Sequence, residues 1–110
     1  MILVIGGAYQ GQYEFVKNEL NISDEKIYKD FHLGMKEWLE QGREPKELTE
    51  QVLDGRYEVI ISDEIGSGIV PIERDIRDWR EQTGRALCEI AKRCDTVYRV
   101  QCGVAIKIKA

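Results

Sequence analysis

Along the chain, short apolar runs alternate with longer stretches in which apolar residues recur every three or four positions. Ile2 to Ile5 form a continuous apolar run closed by Gly6, the pattern of a strand buried on both faces. A glycine-rich turn follows, after which Gln12, Glu14, Phe15, Val16 and Leu20 continue as a helix. Beyond a turn-rich break at Asn21 to Glu25, the stretch Lys26 to Phe31 alternates polar with apolar and reads as a second strand. Met35, Trp38 and Leu39 recur at helical spacing up to Gly42. Pro45 to Leu53 reads as another short helix, with its proline in the first turn and Gly55 just past its end.

Tyr57 to Ser62 is a third strand, rich in β-branched residues and running into Asp63 and Glu64. Ile65 to Pro71 is a turn-rich loop. From Ile72 onward Ile76, Trp79, Leu87, Ile90 and Ala91 share one face of a long helix, with Gly84 as a point of possible division. Thr96 to Gln101 and Val104 to Ile108 close the chain as two strands around Gly103. This order predicts one α/β domain over residues 1–110, with flanking helices, right-handed crossovers and a mainly parallel sheet closed by an antiparallel last strand.

Composition narrows the setting. At 110 residues the chain is near the low end for a sheet covered on both faces, so an uncovered face would need a partner. With 43% apolar and 33% charged residues it belongs with soluble globular domains, and a formal charge of −4 argues against nucleic acid as the main partner. The N-terminal apolar run is short and has no basic residues before it, so it is a strand and not a signal peptide. No stretch is long enough to span a bilayer, and the expected location is the cytoplasm. Cys88, Cys94 and Cys102 lack paired zinc-site spacing and have a single histidine to help them, so they are expected as reduced, mostly packed thiols without a metal.

Candidate chemistry concentrates at the ends of the predicted strands. Gly6-Gly7-Ala8-Tyr9-Gln10-Gly11 has the glycine spacing of a phosphate-gripping loop, in which backbone N–H groups turn into one concavity, a lysine balances phosphate charge and a small hydroxyl holds Mg²⁺. Gln12 and Tyr13 stand where that lysine and hydroxyl belong. A neutral amide and a bulky phenol lower anion affinity and leave weak nucleotide binding easier to retain than phosphoryl transfer. The same spacing also suits a plain turn between strand and helix. Gly6, Gly7, Ala8, Gly11 and Gln12 are the candidate nucleotide-binding residues. Asp63, delivered by an apolar strand, is the candidate Mg²⁺ ligand, against a solvated strand-end acid. His32 would lie on the same sheet edge as a candidate catalytic base, against an exposed or capping histidine with no partner to orient it. Arg74, Arg77, Arg80 and Arg85, interleaved with acids, read as a solvated salt-bridged face that could also meet phosphate or a second subunit.

Several of these residues together carry a family resemblance. Asp63-Glu64-Ile65-Gly66-Ser67-Gly68-Ile69-Val70-Pro71, Arg74, Arg77, Trp79, Arg80, Gly84-Arg85, Asp95, Val97, Gly103, Lys107 and Lys109, read with GGAYQG, follow one pattern in order. In this respect the chain resembles the bifunctional adenosylcobinamide kinase / adenosylcobinamide-phosphate guanylyltransferases of cobalamin biosynthesis. The resemblance implies a RecA-like P-loop NTPase-type sheet, GTP or ATP with Mg²⁺ as cofactor, a corrinoid intermediate as partner and assembly as a homotrimer. It also implies departures. The family's loop reads G-G-A-R-S-G-K-S, and its guanylylated histidine lies in H-H-x-x-x-R-P, whose local counterpart Trp38 to Pro45 holds no histidine. Between Gly42 and Tyr57 the family carries a further strand and helices. The expectation is therefore a truncated, catalytically degenerate relative.

Overall fold

The computed structural model describes residues 1–65 and 73–110. Of the loop expected at Ile65 to Pro71 all but Ile65, and the helix start expected at Ile72, lie outside the described residues. β1 (Ile2–Gly6), β2 (Ile27–Tyr28), β3 (Val59–Asp63), β4 (Thr96–Gln101) and β5 (Val104–Lys109) form one sheet of order β2-β3-β1-β4-β5. β1 pairs in parallel with β3 and β4, β2 in parallel with β3, and β5 antiparallel with β4, as the alternation of elements predicts.

From β1 the chain steps outward to β2, then reverses through β3 and crosses to β4. Connections running in opposite directions across a sheet place their helices on opposite faces when each crossover keeps the same hand. The core divides accordingly. On one face α2 (Phe31–Glu40), α3 (Pro45–Val52) and α4 (Arg74–Arg93) bury Phe31, Met35, Leu48 and Ile90 against Leu3, Ile60 and Val97. On the other, α1 (Gln12–Phe15) and the π-helical turn Val16–Leu20 bury Phe15 and Val16 against Val4, Val59, Ile61 and Val100. Each such large apolar side chain contributes about 1.5–3 kcal/mol by leaving water.

Several expectations need correction. The second strand is limited to Ile27–Tyr28, because Asp30 takes a left-handed conformation (φ 56°) that turns the chain into α2, where Phe31 is fully buried. The helix after the loop is one α-turn that widens into a π-turn ended by Asn21, also at positive φ. Gly84 does not divide α4, which runs unbroken through it. The buried side of α4 is Thr83, Ala86 and Ile90, rotated from the expected stripe, so Ile76 is exposed and Trp79, Leu87 and Ala91 are only partly covered. Of the three thiols only Cys94 is packed, and burial raises its pKa. Cys88, on α4, and Cys102, in the β4–β5 turn, are exposed. Among the described residues no helix is long and apolar enough to cross a membrane.

The arginines of α4 fit the solvated reading where their pairing is seen. Arg85 reaches Glu81 one turn earlier at 2.6 Å, an exposed pair worth about 0.3–0.5 kcal/mol.

Candidate functional site

The reversal of chain direction at β1 brings the glycine loop and the end of β3 side by side. Gly6 is in register with Asp63, and the Glu64 N–H donates to the Gly6 carbonyl at 2.7 Å. A side chain at position 6 has no room: a Cβ there would meet the Val100 carbonyl oxygen at 2.5 Å and Gln12 Nε2 at 3.0 Å. Gly11, at φ 96°, turns the loop into α1. Two further contacts fasten the loop to the β4–β5 turn. The Cys102 N–H donates to Gln10 Oε1 at 2.6 Å, and the Gly103 N–H to the Gln10 carbonyl at 2.9 Å.

Gln12 is buried and folds back into the loop. Its Nε2 donates to the Gly7 carbonyl at 3.0 Å and to Asp63 Oδ1 at 3.2 Å. Asp63 also meets His32, which is buried in the first turn of α2 and not exposed. Its Nδ1 accepts the Asp63 backbone N–H at 3.1 Å, and its Nε2 lies 3.4 Å from Asp63 Oδ2. With Nδ1 used as an acceptor, the neutral ring carries its proton on Nε2, toward the carboxylate. The His32 carbonyl accepts the Trp79 indole N–H at 2.7 Å, so α4 fixes this turn from the other side. The expectation of a histidine without an orienting partner is thereby corrected: Asp63, distant in sequence, orients it.

Over these residues lies a cavity of about 640 Å³, walled by Ala8, Gly11, Gln12 and Tyr13 on one side and by Lys29, Asp30 and Leu33 on the other, with Asp63 and His32 in its floor. Sequence reasoning missed Lys29, Asp30 and Leu33. Their position at the end of the second strand, beside His32, was the available signal. Burial pushes the Asp63 carboxyl above its ordinary value. The nearby Asp30 adds to this, and His32 pulls the other way. A group with a raised folded-state pKa contributes stability that is complete below the unfolded value and is lost as pH rises through the folded one. NMR titration of the Asp63 carboxyl carbon is thus expected to show a midpoint above the usual ~3.9. Wild-type stability should decline through that window in a way that Asp63→Asn does not, and matching pH profiles for the two proteins would refute this.

The donor set does not suit a resident Mg²⁺. Both Asp63 oxygens already face Gln12 and His32, and the Tyr13 hydroxyl is spent on Asp24 at 2.7 Å. Among the described residues no group of three His, Cys, Asp or Glu side chains converges.

A glycine loop at the carboxyl end of a central parallel strand, beside an acid ending the adjacent strand, defines an α/β protein of P-loop type. Residues 14–108 match the family described as Cobinamide kinase / cobinamide phosphate guanyltransferase, and the chain belongs to that family. The match begins at Glu14, immediately after the loop. Over 51 residues the chain is 39% identical to the bifunctional adenosylcobalamin biosynthesis protein CobU of Salmonella typhimurium, an alignment covering 46% of this chain and 28% of that relative.

Proposed function

We propose that this chain is a cobalamin-biosynthesis kinase/guanylyltransferase-like protein with a degenerate phosphate loop, which binds a purine nucleotide weakly at the Gly6 to Gln12 loop, in the cavity that Ala8, Gly11 and Gln12 line, and transfers little or no phosphoryl group. The supporting observation is the position of Gln12. Its neutral amide is held between the Gly7 carbonyl and Asp63, so the place where a phosphate-pairing lysine would project supplies no charge. Transfer of a phosphoryl group depends on electrostatic stabilisation of its oxygens, and this loop lacks the means for it. Calorimetric titration with GTP, ATP and GDP tests the reading. Weak but saturable heats are expected; silence at millimolar ligand would rule out binding, and brisk GTP-dependent phosphorylation of adenosylcobinamide would rule out inactivity.

A residual guanylyl transfer through His32 has less support, because both ring nitrogens face Asp63 and the side chain is buried. Intact-mass measurement after incubation with GTP would reveal a covalent GMP adduct if that route operated.

A regulatory or structural role as an oligomeric partner of a full-length homologue is the second reading, and one observation favours association. Val104, Ile106 and Ile108 of β5 are 63%, 53% and 56% exposed, an apolar stripe on a strand that is at the sheet's edge among the described residues. If homo-oligomers form through this strand, Ile106→Glu is expected to yield monomers in light scattering without lowering the melting temperature of the isolated domain. An unchanged mass would place the contact elsewhere.

A further inference from the structure

The residue at the hydroxyl position of the loop lines the cavity with its ring, while its hydroxyl is engaged elsewhere. The Tyr13 hydroxyl donates to Asp24 Oδ1 at 2.7 Å, and that same oxygen lies 3.3 Å from Lys17 Nζ. The Tyr13 ring, held in this way, supports a cation from a different element: Lys29 Nζ lies 4.4 Å from its centroid. Lys29 follows Tyr28 at the carboxyl end of β2 and lines the cavity together with Gly11 and Gln12.

The other charged side chains around the cavity are Glu14, Asp30 and Asp63, so Lys29 is the one ammonium among its described lining residues. Asp24, close enough to be influenced by Lys29, is already engaged by the Tyr13 hydroxyl and by Lys17. A cation resting on an aromatic face keeps its charge available, because the ring quadrupole attracts it without neutralising it. An ammonium on a flexible stem also binds phosphate as a point charge and needs no fixed fork of donors.

We propose that Lys29 is the phosphate-anchoring cation of this cavity, supplying from just past the end of β2 the charge that Gln12 does not supply from α1, with Tyr13 as its positioning residue. The inference rests on the reading of the cavity as a nucleotide site. It accounts for the two loop departures together: Gln12 closes the loop onto Asp63, and Tyr13 becomes the platform for a cation brought from elsewhere. The acids around the cavity work against any anion bound there, so the contribution of a single ammonium is large relative to the total affinity.

Calorimetric titration of GTP, inorganic triphosphate and guanosine into the full chain tests this, using wild type, Lys29→Gln, Lys29→Arg, Tyr13→Leu and the control Lys46→Gln on α3, with thermal melting to verify folding. Lys29→Gln is expected to weaken GTP and triphosphate at least about tenfold while leaving guanosine unchanged, since only the phosphates meet the lost charge. Lys29→Arg should recover most of the loss, Tyr13→Leu should fall between, and Lys46→Gln should match wild type. If GTP and triphosphate bind wild type and Lys29→Gln equally, or if Lys46→Gln weakens them as much, Lys29 is not the anchor although the nucleotide reading survives. If wild type binds neither GTP nor triphosphate, both fail together.

Discussion

Replacing Phe31 by alanine is expected to destabilise the domain by about 3–5 kcal/mol, the largest loss available from one truncation in this core. Phe31 has no exposed surface and packs in the layer between α2–α4 and the sheet, where it also meets the Tyr28 ring edge-on with centroids 6.1 Å apart. Domains of this size hold only about 5–15 kcal/mol in total, so such a loss removes much of the margin. Urea denaturation followed by far-ultraviolet circular dichroism measures it. Because Phe31 anchors the turn that carries His32, the His32 ring resonances should also broaden or shift in the folded variant. A loss under about 1 kcal/mol would mean that the site collapses around the deletion.

Gly6→Ala should have the next largest effect and should act on the site directly. The added methyl would lie 2.5 Å from the Val100 carbonyl oxygen, a backbone atom of β4 that cannot move without disturbing the ladder, and 3.0 Å from the Gln12 amide. Overpacking of this kind costs about 1–3 kcal/mol. It also pushes Gln12 away from Asp63, so any ligand affinity of the cavity should fall together with stability. Gly7→Ala is the internal control. Its methyl would meet only Gln10 Cγ at an ordinary 3.7 Å, so thermal melting should leave it close to wild type. Equal losses at the two positions would argue for a general sensitivity of the loop.

The contrast between what the sequence revealed and what it concealed follows the range of the forces involved. Pro45 and Gly55 delimit α3 through local backbone chemistry, and the β-branched runs of β3 and β4 need no distant partner to be recognised. The end of β2 was less legible. The alternation through Phe31 suits a strand, but Phe31 gains more by entering the helical core than by extending a ladder, and Asp30 accommodates the turn at positive φ. The contacts of the site were hidden for a different reason. His32 and Asp63 are 31 residues apart, and Gln12 and Asp63 are 51 apart. Only the order β2-β3-β1 places all three at one sheet edge, and only that order lets Lys29 reach the cavity opposite the loop.

The attachment of Gln10 to the β4–β5 turn makes that turn a built-in gauge. The amide hydrogens of Cys102 and Gly103 are sequestered by acceptors on the loop itself, so they can exchange with deuterated solvent only when loop and turn part company. Their exchange rates therefore count how often the loop swings free, with no label, ligand or assay of turnover required.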